Sequence, residues 1–534
     1  MAVSAPLMKV VHVKTWQRFG AVLAVSLLGI GLVGCSSSGS SSTKGPKVIA
    51  PSPPSRDSVT VPTVVPATGG SGKAFIAAAG SDLAALGYEQ SEFYISGTAT
   101  AYQSAQSLTV DGNWSVEPAT TAAYKTRAIV RRPTDPAKFN GNVIVEWLNV
   151  SGGLDAAPDW TYTHVELIRE GYAWVGLSAQ VVGIDGGPSM ALVAGLTLKA
   201  ADPERYGSLV HPGDQYSYDM YTQTGAAAWF ANDVLLGGLK PERVIAIGES
   251  QSAFRLTTYV NAVGPMTDVW DGYLIHSRGN AGAALNVDVK MPADQRIRTD
   301  LKVPVLQFQS ETDMLGRGLN FIGARQPDTD LIRTWEVAGT AHADAYNLGI
   351  GDTDTGDGAG DAALFQAMLT PPASIYGGVL SCSSPINAGP HTYVLRSALN
   401  SLDNWIRTGE APASRPLLNI KDGAFVLDGI GGNATGGIRT PQVDVPVATL
   451  SGLGQTGSAF CGLFGTTVPM DENRLAATVP VDPPGASAHE SFVTAWKKAL
   501  LAAVELGDIL QVDADHILAA AENSTVLTYW KPKG

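Results

Sequence analysis

Hydrophobic and polar positions along the chain fall into two successive rhythms. In residues 93–102 and 124–131, β-branched or aromatic residues alternate with polar ones and no helical pattern lies between, which predicts an opening antiparallel hairpin. The rhythm then changes to short, predominantly apolar runs without alternation, at 142–147, 172–177, 243–247, 272–275, 303–308 and 331–337, separated by helical patterns at 159–170, 218–237, 250–263 and 391–408. Successive side chains of a strand point to opposite faces, so an apolar run without alternation is one covered on both sides. This grammar predicts a mostly parallel, doubly wound α/β sheet with helices on both faces.

Two stretches break the rhythm. Residues 181–216 and 280–300 exceed ordinary connection lengths and are expected to form insertions over a substrate pocket. Beyond Gly409 a Gly- and Pro-rich segment runs to about residue 484, followed by helical patterns at 489–506 and 513–522, with Asp513 in the position of an N-cap. The expected organisation is a core over 73–410 and an accessory segment over 411–534 packed on it.

The N-terminal pattern concerns destination, not fold. Lys9, Lys14 and Arg18 precede an apolar run over 19–33 that is short for a membrane span, the order of a secretory signal peptide. It ends in Leu32-Val33-Gly34-Cys35, which resembles the lipobox of bacterial lipoproteins and implies lipidation of Cys35 after removal of residues 1–34. Residues 35–72, rich in Ser, Pro, Thr and Val and closing on Gly69-Gly70-Ser71-Gly72, are expected to be a flexible linker. The expected location is extracytoplasmic, anchored to a bacterial outer membrane or cell surface. There the remaining cysteines, Cys382 and Cys461, suit a disulfide, with a pair of buried thiols as the alternative.

Composition narrows the chemistry. A formal net charge of −13 leaves no basic face for a phosphate backbone, which argues against a nucleic-acid partner. No His/Cys cluster has zinc spacing and no glycine fingerprint for a dinucleotide or phosphate sits in a strand-to-helix context, so no cofactor is called for. The Asp-rich stretch 352–361 lacks the spacing of a calcium loop and is expected to be a solvated loop.

The segment that carries chemistry is Arg243-Val244-Ile245-Ala246-Ile247-Gly248-Glu249-Ser250-Gln251-Ser252-Ala253-Phe254-Arg255-Leu256. It places a serine between an apolar strand and a helix, with small residues two before and two after it, as a sharp strand-to-helix turn demands. Ser252 stands where such elbows ordinarily have glycine. Downstream, the apolar run 303–308 leads to Glu311 and Asp313, and the run 331–337 leads to Ala338-Gly339-Thr340-Ala341-His342. A carboxylate beyond one strand can hold a histidine beyond the next in the tautomer that deprotonates serine, and the chain order Ser, Asp, His is that of one hydrolase architecture. Ser250 is the expected nucleophile, His342 the base and Asp313 the acid, with Glu311 as the alternative acid. Donors for an oxyanion are expected from Gln251 and from the loop Asn149, Val150, Ser151, Gly152 after the strand 142–147. His276, Arg278 and His391 flank core elements and are expected to be structural, with pocket lining as the alternative.

These segments, together with Tyr273-Leu274-Ile275-His276-Ser277-Arg278-Gly279, Trp405-Ile406-Arg407-Thr408-Gly409 and Gly436-Gly437-Ile438-Arg439-Thr440-Pro441, make the chain resemble the bacterial α/β-hydrolase domain-containing proteins, from about residue 75 to the C-terminus. The Ser-Gln-Ser-Ala elbow is typical of that group. The resemblance implies an α/β-hydrolase fold with insertions and a C-terminal extension, and hydrolase chemistry on a small or oligomeric ester. An amidase or peptidase on the same residues, and a non-catalytic surface binding protein on the same fold, are the competing expectations.

Overall fold

The computed structural model describes residues 59–530 except 81, 191–194, 317, 376–377, 379, 459 and 480–485. The predicted signal peptide, Cys35 and the first part of the predicted linker lie outside the described residues.

Nine strands form one sheet: β1 (Thr63–Pro66), β2 (Tyr88–Gln103), β3 (Glu117–Pro133), β4 (Asn142–Trp147), β5 (Ala173–Leu177), β6 (Arg243–Glu249), β7 (Gly272–His276), β8 (Val305–Ser310) and β9 (Ile332–Val337). Their order is β1-β2-β3-β5-β4-β6-β7-β8-β9. β5, β4 and β6 to β9 run parallel, while β1, β2 and β3 form an antiparallel wing joined to β5. The fold is an α/β-hydrolase sheet, mostly parallel, and the opening hairpin is its wing.

Alternation explains the continuous apolar runs. In β6, Val244 and Ala246 enter a core with Trp147, Tyr221 and Tyr259, whereas Ile245 and Ile247 enter the opposite core with Phe308, Trp335 and Trp405. The longer helices that cover the two faces include α1 (Pro158–Arg169), α2 (Ser217–Phe230), α3 (Gln251–Ala262), α4 (Ala359–Leu369), α5 (His391–Thr408), α6 (Ala488–Leu506) and α7 (Gln511–Glu522). Phe492, Trp496 and Leu500 of α6 and Ile517 of α7 belong to the same buried cluster as Trp335 and Trp405, so the C-terminal segment completes that core.

Four expectations need correction. The predicted linker 35–72 does not extend to Gly72: Thr63–Pro66 pairs with β2, from Thr63↔Ser96 to Pro66↔Phe93, and Val64 is buried. An edge strand tolerates the prolines that made this stretch look like linker. The predicted helix 218–237 breaks at Ala231, which leaves helical geometry at φ −115° and ψ 23°, and a short separate helix follows at Asn232–Leu235. Asp513 is not an N-cap. Leu510 holds that place, and the buried Asp513 carboxylate faces Arg169 Nη1 at 3.0 Å. The stretch 352–361 is not simply solvated, because Asp354 and Asp361 are buried and Asp354 pairs with Arg396 at 3.2 Å. Cys382 and Cys461 form a disulfide.

Candidate active site

In a doubly wound sheet the connections leaving two adjacent strands run to opposite sides, and a crevice opens between them at the carboxyl ends of those strands. Here those strands are β4, which leads to its neighbour β5, and β6, which leads to its neighbour β7 on the other side. The loop after β4 and the turn after β6 therefore face each other, and they carry the predicted oxyanion loop and Ser250.

Ser250 joins β6 to α3 at φ 58° and ψ −119°, a backbone conformation that side chains other than glycine adopt at a cost of order 1–3 kcal/mol. Tight packing enforces the turn: a Cβ on Gly248 would stand 3.2 Å from Ser252 Cβ. The Ser250 N–H donates to the His276 carbonyl at 2.9 Å, which ties the elbow to the neighbouring strand. Its hydroxyl donates to His342 Nε2 at 2.7 Å, and His342 Nδ1 donates to Asp313 Oδ1 at 2.6 Å. Asp313 Oδ2 accepts the Ser310 N–H at 2.6 Å within a capping box, which fixes the carboxylate plane.

Electrostatics follow this geometry. Burial would raise Asp313, but the adjacent His342 and the Ser310 donors outweigh it and hold the carboxyl below its usual range. Burial would lower His342, yet Glu249 and Asp313 together hold it above the ordinary histidine value. Of the two carboxylates offered by the sequence, Asp313 is the one on the histidine. Glu311 is turned away, its oxygens accepting Gly339 N–H at 2.6 Å and Gly452 N–H at 2.9 Å. Burial pushes Glu311 up to about 7.

The loop after β4 divides its backbone donors. Asn149 N–H bonds the Ala156 carbonyl, Ser151 N–H bonds its neighbour's Asn149 Oδ1, and Gly153 N–H bonds the Val150 carbonyl. Asn149 and Ser151 are thus removed as backbone donors to an oxyanion, because their N–H groups are consumed in shaping the turn. Val150 and Gly152 N–H have no hydrogen-bond partner among the described residues. Opposite them, α3 has no side-chain cap, so its first-turn donors, Gln251 N–H among them, are not met by a capping side chain. The insertion 181–216 reaches this loop, with Met190 N–H donating to the Ser151 carbonyl at 2.8 Å. Asp214, from the same insertion, accepts Val181 N–H at 2.9 Å and Arg255 of α3 at 2.8 Å.

Glu249, which sequence reasoning passed over, is buried with Oε1 3.2 Å from His342 Nε2, and its Oε2 accepts Asn149 Nδ2–H at 3.0 Å. Burial pushes it up to about 8. The available signal was a carboxylate at the end of a strand buried on both faces. His276, Arg278 and His391 are fully buried. Arg278 is held by Thr257 Oγ1 at 3.2 Å and the Gln295 carbonyl at 2.5 Å. Among the described residues no group of three or more His, Cys, Asp or Glu is disposed to hold a metal ion.

This arrangement presents a hydroxyl whose proton has an acceptor, an acceptor whose cation has a carboxylate, and backbone donors facing the same crevice. Three solved structures resemble part of the chain. A glucuronoyl esterase from Solibacter usitatus is 12% identical over 47% of this chain and 76% of its own, with a TM-score of 0.25. Acetyl xylan esterase 1 from Thermoanaerobacterium sp. is 10% identical over 52% and 83%, with a TM-score of 0.26. A carboxylesterase from Lactobacillus plantarum is 8% identical over 43% and 75%, with a TM-score of 0.23. Comparison with curated proteins returns no match. Residues 59–519 match the family described as alpha/beta hydrolase domain, and the chain belongs to that family.

Proposed function

We propose that the protein is a serine hydrolase that cleaves carboxylic esters, with Ser250 as nucleophile, His342 as base and acid in turn, and Asp313 as the group that orients and stabilises the imidazole. The observation that carries this reading is the unbroken set of contacts from Ser250 Oγ through His342 to Asp313, built on a strained elbow. His342 Nε2 takes the hydroxyl proton as Ser250 Oγ attacks the ester carbonyl. The resulting oxyanion is met by N–H of Gln251 and by that of Val150 or Gly152. Collapse expels the alcohol, protonated by His342, and water repeats the sequence to release the acid.

The N-terminal pattern ending in Cys35 supports lipid anchoring outside the cytoplasm, where the ester substrate would be met. Among the described residues no helix is long and apolar enough to cross a membrane. Radiolabelled palmitate incorporated by the parent and not by Cys35→Ser is the result expected of the anchor.

Hydrolysis of p-nitrophenyl esters from acetate to palmitate, beside covalent labelling by a fluorophosphonate, tests the chemistry. The parent is expected to turn over and to be labelled, and Ser250→Ala to do neither. An unlabelled parent without turnover on any ester would sink the proposal, and turnover confined to amides would replace it with an amidase.

A further inference from the structure

Behind His342 lies a second chain of polar contacts that the proposed chemistry does not use. Asp159 Oδ1 lies 2.8 Å from His276 Nδ1, His276 Nε2 lies 2.6 Å from His391 Nε2, and His391 Nδ1 lies 2.8 Å from the Ala341 carbonyl oxygen. All three side chains are buried. We propose that Asp159, His276 and His391 share one proton more than two neutral imidazoles carry, and that this protonated chain positions the loop presenting His342.

Three contacts need three hydrogens, and two neutral imidazoles supply two. A carbonyl cannot donate, so His391 Nδ1 carries a hydrogen and its Nε2 accepts. His276 Nε2 must then donate, which leaves His276 Nδ1 without a hydrogen unless the ring is charged. The third hydrogen therefore sits between Asp159 and His276, either as a carboxylic acid donating to Nδ1 or as an ion pair. If Asp159 were ionised and both rings neutral, one contact would lack its hydrogen: the carboxylate would face a bare His276 Nδ1, the two Nε2 atoms would face each other bare, or His391 Nδ1 would turn a lone pair on the Ala341 oxygen.

Surroundings favour the neutral acid. The His391 ring is stacked between Tyr162, at 4.3 Å between centroids, and Phe308, at 4.9 Å. Asp159 Oδ2 is buried with no hydrogen-bond partner among the described residues, which an anionic oxygen tolerates far less than a carbonyl oxygen. Beside it, Glu146 is raised well above the usual carboxylate range by burial and by Asp159, and the N–H groups of Asp159 and Trp160 and the indole N–H of Trp174 that it accepts offset this only in part, so two adjacent buried carboxyls disfavour a second charge on Asp159. Burial holds His276 down at about 3 and Asp159 well above the usual carboxylate range.

The chain ends on both halves of the site. Ala341 immediately precedes His342, and the His276 carbonyl accepts the Ser250 N–H at 2.9 Å. One rigid set of hydrogen bonds thus fixes the backbone on which nucleophile and base stand. This positioning role rests on the reading of Ser250 and His342 as the reacting pair, whereas the proton count does not.

The test pairs a spectroscopic measurement with a rescue, on the full chain. In protein labelled with 15N at histidine, assigned through His276→Gln and His391→Gln, both rings are expected to be uncharged at neutral pH, with His391 protonated at Nδ1 and His276 at Nε2. Asp159→Asn keeps a donor toward His276 Nδ1 without a titratable proton, and its kcat on a p-nitrophenyl ester is expected within about threefold of the parent. Asp159→Ala removes the donor and is expected to lose about tenfold or more in kcat with KM little changed. A bare Nδ1 on His391 would overturn the proton count. Asparagine as damaging as alanine would overturn the neutral acid, since the carboxylate charge would then be the requirement. Should Asp159→Ala not fold, the spectra and Asp159→Asn decide. The spectra are independent of turnover, so the expected pattern in a parent that fluorophosphonate leaves unlabelled would keep the protonated chain and discard the functional reading.

Discussion

Ser250 and His342 stand 2.7 Å apart yet are held in place by different means. Ser250 is placed largely by its own neighbours in sequence: β6 ends, Gly248 packs on Ser252, and α3 begins. His342 is placed by residues remote from it. Its N–H donates to Thr312 Oγ1, Thr312 donates to the Gly452 carbonyl, Ala343 N–H donates to the Leu463 carbonyl, and Asn387 Nδ2 donates to the carbonyls of Gly339 and Ser451. The proposed nucleophile is thus a local device and the proposed base a tertiary one. The hairpin formed by Ala448–Ser451 and Thr466–Pro469 belongs to the support of the site although it follows the sheet in sequence.

The two carboxylates after β8 give the largest test of that contrast. Asp313→Asn keeps the shape but presents an amide to His342 Nδ1, favouring the wrong tautomer, and kcat is expected to fall by about 10⁴-fold with the melting temperature nearly unchanged. Glu311→Gln leaves His342 its carboxylate but sets an amide donor against Gly339 or Gly452 N–H. It is expected to cost about 1–3 kcal/mol of stability and far less activity. Equal losses of kcat in the two variants would remove the distinction between the residue that orients the base and the one that braces its loop.

Next in size is the disulfide. Cys382 and Cys461 close a loop of sequence separation 79, and the segment after Cys461 includes the Leu463 carbonyl that receives Ala343 N–H. By loop-closure entropy the double variant Cys382→Ser with Cys461→Ser is expected to lose about 4 kcal/mol. Because the bridge lies on the histidine side, kcat is expected to fall while β6 and α3 keep their hydrogen-exchange protection. Thermal unfolding of the double variant at the parent's temperature would count against the bridge as support.

The same asymmetry explains what the sequence disclosed. Strands β4 to β9 were legible because each carries a cluster of apolar residues set off by loops, and Ser250, Asp313 and His342 because Ser250 directly follows β6 while Asp313 and His342 come three and five residues after the ends of β8 and β9. Strand β1 was hidden, since a four-residue edge strand bounded by prolines has the composition of a linker. The role of Glu311 was hidden as well, because its partners Gly339 and Gly452 lie 28 and 141 residues away. Asp159, His276 and His391 come from three separate elements, and no spacing rule brings them together.

A smaller effect is expected at Gly452. A Cβ there would overlap Thr312 N and lie 2.6 Å from Glu311 Cβ and 2.7 Å from Thr340 O, so Gly452→Ala forces the hairpin off the loops of Asp313 and His342. Overpacking of this kind costs about 1–3 kcal/mol. Differential scanning calorimetry should show the loss, and kcat should fall while KM changes little. An alanine variant with parental kcat and stability would mean that the hairpin merely lies against the site.

The smallest effect sharpens the contrast at the point where its two sides meet. Glu249 belongs to the local elbow, yet its Oε1 lies 3.2 Å from Nε2 of the tertiary His342. Both groups are shifted upward, Glu249 by burial to about 8 and His342 because the carboxylates of Glu249 and Asp313 outweigh its burial. They therefore titrate as a pair that keeps its last proton to higher pH than a lone histidine would. In the proposed mechanism His342 must be neutral to accept the Ser250 proton, so kcat/KM should climb with pH until that proton leaves. Glu249→Gln still offers an oxygen to accept Asn149 Nδ2–H but can never become the anion that holds the proton on His342. The histidine should then titrate lower, and the variant should reach its plateau at a lower pH than the parent. Coincident acid limbs in the two pH profiles would show that the Glu249 side chain is electrostatically silent toward His342, and that the elbow contributes to the site only through its backbone and its serine.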